Sequence, residues 1–110
     1  ASVGAADSYG ATALLLASEK GHLDCVRLLV EASAAVNQAK ENGATPLYVA
    51  CQEAQIECAR LLLEASAAVN QAKDDGGTPL FVACQKGHPE IARLLLEAGA
   101  AINQAKDDDG

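Results

Sequence analysis

Thr78-Pro79-Leu80-Phe81-Val82-Ala83-Cys84-Gln85-Lys86-Gly87-His88-Pro89-Glu90-Ile91-Ala92-Arg93-Leu94-Leu95-Leu96-Glu97-Ala98-Gly99 decides the architecture of this chain. Gly87 marks a helix stop, because glycine tolerates the positive φ that such stops require. Pro89 reopens a helix at its first position, where no N–H is missed, and Glu90 follows in the first turn, where the dipole favours an acid. The second helix runs through Ile91, Ala92, Leu94, Leu95 and Leu96 to about Ala98, and Gly99 ends it. The Thr-Pro pair that opens the stretch recurs as Thr45-Pro46. There Thr45 caps a first helix carrying Leu47, Val49, Ala50 and Cys51, which should stop near Ala54.

The recurrence is general. Residues 10–42 align without gaps on 43–75 with 19 of 33 identities, and 43–75 align on 76–108 with 24 of 33. A fixed period of this length outranks every other feature. It predicts one domain of three units, 10–42, 43–75 and 76–108. Residues 1–9 read as the tail of a preceding unit and 109–110 as the opening of another, as if cut from a longer array or a designed stack. Helices of ~8–10 residues are too short to be stable alone in water. Stacking must therefore hold them, with contacts only between neighbours.

Composition agrees. The 110 residues are 50% hydrophobic and only 3% aromatic, so the core must be built from Leu, Val, Ile, Ala and Cys. No apolar run is long enough to span a bilayer. The formal net charge of -7 disfavours nucleic acid and anionic membranes and fits a basic protein partner or simple solubility. Cys25, Cys51, Cys58 and Cys84 form no metal-ligand spacing. They read as small buried apolar residues, reduced, in a cytoplasmic compartment. Arg27, Arg60 and Arg93 each follow an acid by three residues (Asp24, Glu57, Glu90) and precede one by four (Glu31, Glu64, Glu97). That is a self-neutralised, solvated helix face rather than a phosphate-binding stripe.

The units resemble ankyrin repeats over essentially the whole chain. The resemblance rests on Gly43-Ala44-Thr45-Pro46-Leu47, on Gly76 to Leu80, on Gly87-His88-Pro89-Glu90-Ile91, and on Leu94 to Ala100. It implies an all-α solenoid of stacked antiparallel helix pairs with projecting turns: six main helices and no sheet-based core. The family's His after the Thr-Pro-Leu word is replaced by Leu15, Tyr48 and Phe81, so packing should stand in for its hydrogen bonds. Ser33 and Ser66 replace a glycine after the second helix, and Ala54-Gln55 replaces Gly-His. His22 and His88 are expected to support adjacent units by hydrogen bonding.

The resemblance also places a binding surface on the turn tips and the exposed side of the first helices. The tips are Ser8, Tyr9 and Ala11, then Glu41, Asn42 and Ala44, then Asp74, Asp75 and Gly77. The helix positions are Glu19, Lys20, Gln52, Glu53, Gln85 and Lys86. These positions vary or stay polar while the leucines repeat, and together they form a mostly acidic concave strip. The expected function is non-enzymatic binding of a protein partner, without cofactor or metal. The alternatives are a structural spacer, or a piece of a larger scaffold or enzyme whose catalytic domain lies elsewhere. Neither terminal unit has a recognisably polar outer face, so the ends should either fray or stack on other copies.

Overall fold

A computed structural model describes residues 12–32 and 34–100. Six helices occupy them in three pairs: α1 (Ala13–Lys20) with α2 (Leu23–Glu31), α3 (Pro46–Gln52) with α4 (Ile56–Glu64), and α5 (Pro79–Gln85) with α6 (Pro89–Glu97). No strand occurs among the described residues.

Each first helix starts from a buried threonine. The Leu15, Tyr48 and Phe81 N–H groups donate to the Oγ1 atoms of Thr12, Thr45 and Thr78 at 3.2, 3.1 and 3.1 Å. Pro46 and Pro79 then occupy the first helical turn, where their fixed φ suits the helix. Left-handed residues stop the helices. Gly21, Gly87 and Gly99 take φ of 77, 75 and 93°, and Ala54 and Ser66 adopt the same region at 60 and 70° despite their side chains. The Gly-to-Ala and Gly-to-Ser departures read from the sequence thus leave the backbone path unchanged. Ser33 lies outside the described residues.

The first helices pack in a row, α1 on α3 on α5, and the second helices form another, α2 on α4 on α6. The first row is drawn together more closely than the second. Ala17, Ala50 and Ala83, all buried, let those backbones approach. A stack tighter on one side bends toward it, so the first-helix side is concave. The molecule measures 41 × 26 × 20 Å along its principal axes.

The core is a set of equivalent positions repeated along the stack. Leu62 and Leu95 are fully buried, as are Ala50 and Ala83, with Leu14 and Leu47 beside them. Leu15 and Tyr48 are buried and Phe81 is half-buried, so packing does fill the place of the family's histidine. The reading of all four cysteines as buried needs correction. All are free thiols, but only Cys51 and Cys58 are buried, while Cys25 and Cys84 are exposed. The reason is position in the stack. Cys51 and Cys58 belong to the middle pair, which is covered on both sides. Cys25 and Cys84 stand on the two outer faces.

Candidate functional site: the turn fingers and the first-helix row

Between successive pairs the chain makes a narrow finger. In the first described finger, the Lys40 N–H donates to the Ala44 carbonyl at 2.9 Å and the Gly43 N–H to the Lys40 carbonyl at 2.9 Å. Asn42 closes the tip, its Oδ1 accepting the Ala44 N–H at 3.0 Å. The second finger repeats the geometry through Lys73, Gly76 and Gly77, with Asp75 Oδ1 accepting the Gly77 N–H at 2.9 Å. Asn and Asp suit this place because their short side chains bond the backbone two residues on. The fingers are tied to each other, since the Asp74 N–H donates to the Asn42 carbonyl at 2.8 Å.

Gly43 is essential to that tie. Its φ is 88°, and a Cβ there would stand 2.8 Å from the Asp74 amide nitrogen. The second finger leans on the array through Tyr48, whose ring lies 5.2 Å from Lys73 Nζ. Lys73 also sits 3.9 Å from the Asp75 carboxylate. The return loops are linked as well: the Ala68 N–H and Gln71 Nε2 donate to Oδ1 and the main-chain oxygen of Asn37 at 2.8 and 3.3 Å.

The positions expected to form a binding surface sort clearly. Glu41, Asn42, Asp74 and Asp75 are exposed at the tips. Lys20, Glu53, Gln85 and Lys86 are exposed on the first-helix row, with Glu19 and Gln52 half-buried. Ala44 and Gly77 are buried at the finger bases and offer no side-chain surface. They face inward because each is the residue whose N–H the tip side chain captures. Ser8, Tyr9 and Ala11 lie outside the described residues. Asn42 and Asp75 have a structural task at the tip that the sequence reading missed; the two-residue spacing to Ala44 and Gly77 was the available signal. Acids outnumber bases over the exposed part of the strip.

On the opposite face, Arg27 meets Asp24 and Arg60 meets Glu57, each at 3.4 Å. Among the described residues no ion pair joins these arginines to Glu31 or Glu64, nor Arg93 to either of its helix neighbours, Glu90 and Glu97. The self-neutralised face is therefore built from the three-residue spacing. At the junction of the first two pairs, Gln55 takes the supporting role expected of histidine, its Nε2 donating to the Glu19 carbonyl at 3.1 Å. That contact packs the Gln55 amide over Gly21, and a Cβ there would push the end of that side chain aside. His22 and His88 make no hydrogen bond through their rings among the described residues. No group of His, Cys, Asp and Glu among those residues is arranged to hold a metal ion, and no helix there is long and apolar enough to cross a membrane.

A family profile described as ankyrin repeats (3 copies) matches residues 1–74 and again residues 33–108. The chain belongs to the ankyrin-repeat family. A search of the curated proteins finds no match. Ankyrin repeats are in general protein–protein interaction modules and are typically non-catalytic. In this ankyrin array the fingers and the first-helix row are the parts where exposed polar side chains differ from unit to unit while the buried positions beneath them repeat.

Proposed function

We propose that this array binds a protein partner through its finger tips and concave first-helix row, without catalysis. The observation that carries this reading is the contrast between frame and surface. The fingers are fixed by backbone bonds and by Asn42 and Asp75, and the first helices are closely packed, so the exposed side chains stand on a rigid base. Rigidity lowers the entropic cost of binding. The acidic balance of Glu41, Glu53 and Asp74 against Lys20 and Lys86 favours a partner with a basic surface and disfavours nucleic acid. Units 10–42, 43–75 and 76–108 each supply part of the strip, and Ser8, Tyr9 and Ala11 are included in this reading only by their register with the other tip positions. Exposed free thiols at Cys25 and Cys84 suit a reducing, cytoplasmic setting.

The test compares two triple variants of the immobilised chain. One carries Glu41→Lys, Glu53→Lys and Asp74→Lys on the strip. The other carries Glu31→Lys, Glu64→Lys and Glu97→Lys on the second helices, with the same change in net charge. Asp75 is left intact because it holds its finger together. Proteins retained from a cell extract are quantified by mass spectrometry. The reading expects a set retained by wild type and by the second-helix variant but lost from the strip variant. Equal losses from both would move the binding surface elsewhere, and no loss from either would favour the spacer reading.

A further inference from the structure

The two fingers carry the same cap in two chemical forms. In the first, the Asn42 side-chain amide accepts the Ala44 N–H at 3.0 Å; in the second, the Asp75 carboxylate accepts the Gly77 N–H at 2.9 Å. The residues around them correspond, Lys40 with Lys73, Glu41 with Asp74 and Gly43 with Gly76. In both fingers the glycine N–H donates to the lysine carbonyl at 2.9 Å. In both, the lysine N–H donates to the carbonyl of the capped residue, at 2.9 Å from Lys40 and 2.8 Å from Lys73. An amide and a carboxylate therefore do the same work in one backbone frame.

A single reaction connects the two forms, and Asn42 is placed to undergo it. Asn42 is exposed and precedes glycine, whereas Asn37, Asn70 and Asn103 each precede glutamine. Glycine has no side chain to screen its main-chain nitrogen. When that nitrogen attacks Asn42 Cγ, a C–N bond forms and the side-chain amino group leaves as ammonia, taking up the proton that the Gly43 nitrogen sheds. The product is a five-membered cyclic imide, which water then opens. Attack of water at the side-chain carbonyl restores the peptide bond and leaves an aspartate. Attack at the main-chain carbonyl leaves an isoaspartate, with one more carbon in the backbone. Either route consumes one water, releases one ammonia and creates one carboxylate, with no oxidant or reductant.

We propose that Asn42 is a self-modification site, whose deamidation during openings of the first finger converts that finger to the carboxylate-capped form of the second. The closed finger holds the reaction back. The Gly43 N–H is engaged by the Lys40 carbonyl, the Asn42 side chain by the Ala44 N–H, and the Asn42 carbonyl by the Asp74 N–H at 2.8 Å. The nitrogen and Cγ therefore meet only when these bonds part, which is a local opening rather than global unfolding. The aspartate product closes the finger again as Asp75 closes its own, with Lys40 beside it as Lys73 lies 3.9 Å from Asp75. The isoaspartate product does not, because the added carbon carries Gly43 out of register with the Lys40 carbonyl. Each conversion adds one negative charge to a chain already at -7, at a tip that also carries Glu41. On the reading of the strip as a surface for a basic partner, the aspartate form holds that partner more tightly at low salt. That consequence rests on the binding reading; the reaction itself does not.

The experiment ages the full chain in native buffer and in denaturant, digests samples with trypsin and follows the fragments by mass spectrometry. Fragment 41–60, released at Lys40 and Arg60, carries Asn42, while 28–40 and 61–73 carry Asn37 and Asn70. The mass change of amide to acid should accumulate in 41–60, at position 42, well ahead of the other two. It should run faster at mildly alkaline pH, since the attacking nitrogen must shed its proton. In native buffer it should run roughly tenfold or more slower than in denaturant, because only the open finger reacts. The variant Asn42→Asp should keep the wild-type unfolding midpoint and the slow amide exchange of residues 40–44. Conversion at Asn42 no faster than at Asn37 would overturn the proposal. So would equal rates in buffer and denaturant, or an Asn42→Asp chain whose first finger exchanges freely. If wild type and Asn42→Asp retain the same proteins from a cell extract to the same extent, the binding reading fails and the modification site stands, because the mass change is read without a partner.

Discussion

Ala54 stands where the other two units have Gly21 and Gly87, and it takes φ of 60°. An L-residue there costs about 1–2 kcal/mol. Glycine removes that cost but adds freedom to the unfolded chain, worth roughly 0.4–1 kcal/mol. Ala54→Gly should therefore stabilise the protein by about 0.5–1 kcal/mol, read from the midpoint of chemical unfolding with an unchanged slope. Cys51 carries a second residue-scale consequence. Burial pushes its thiol from 9.0 up to about 12, and Cys58 is also raised, first by burial and then by the Glu57 carboxylate. The native state therefore keeps a proton that the unfolded chain gives up. Stability from this source is complete below pH 9.0 and falls as pH climbs from there towards 12. Between pH 8 and 10 the wild type should lose about 1.4 kcal/mol more than Cys51→Ala. At neutral pH an alkylating reagent should modify Cys25 and Cys84 quickly, and Cys51 and Cys58 only after unfolding.

At the scale of the element, the helices were legible and the fingers were not. Threonine caps, proline starts and glycine stops act within a few residues of one another, so Thr45-Pro46 and Gly87 announced their boundaries from sequence alone. The left-handed Ala54 and Ser66 were visible only by register with their glycine counterparts. In the fingers the decisive contacts run between elements. The tie from the Asp74 N–H to the Asn42 carbonyl joins residues of successive units, which no local spacing announces. Gly43 illustrates the cost of that geometry. Gly43→Ala should destabilise by more than about 2 kcal/mol, since it adds a left-handed penalty to a clash with backbone that has nowhere to move. Amides of residues 40–44 and 73–77 should then exchange faster with solvent, while those of α2 and α6 change little. A loss spread evenly over all six helices would mean that the finger tie is not local.

Across the whole molecule, each pair touches only its neighbours, so protection should be uneven. The α3–α4 pair is covered on both sides, with Val49, Ala50, Cys51, Cys58, Ala59 and Leu62 all buried. Native-state hydrogen exchange should find its amides slowest and those of the outer pairs faster. Identical exchange rates across the three pairs would show a single all-or-none unit instead. The outer faces were partly legible: apolar Leu16, Leu28 and Leu96 lacked the polar replacements that close a solenoid. Which positions meet across a junction was not legible, because sequence shows which positions repeat but not which faces they share. The placement of Cys25 and Cys84 failed for the same reason, since a repeat reads alike whether or not a neighbour covers it.

Because every junction buries the same set of positions, the array is modular at the level of its gene. Excision of residues 43–75 would bring Ser18 and Val26 against Val82 and Ile91, a junction as apolar as the two it replaces but fuller, since Val26 now faces Cys58 and Ile91 faces Ala59. An in-frame loss or gain of one 33-residue unit changes the reach of the concave strip by one step and leaves its neighbours in register. An insertion within α3 or α4 that is not a whole number of units slides Glu53, Glu57 or Arg60 toward places now held by alanine, cysteine and leucine. Duplication and deletion are thus channelled toward whole units, and a lineage carrying this sequence can lengthen or shorten its binding surface without having to rebuild its core.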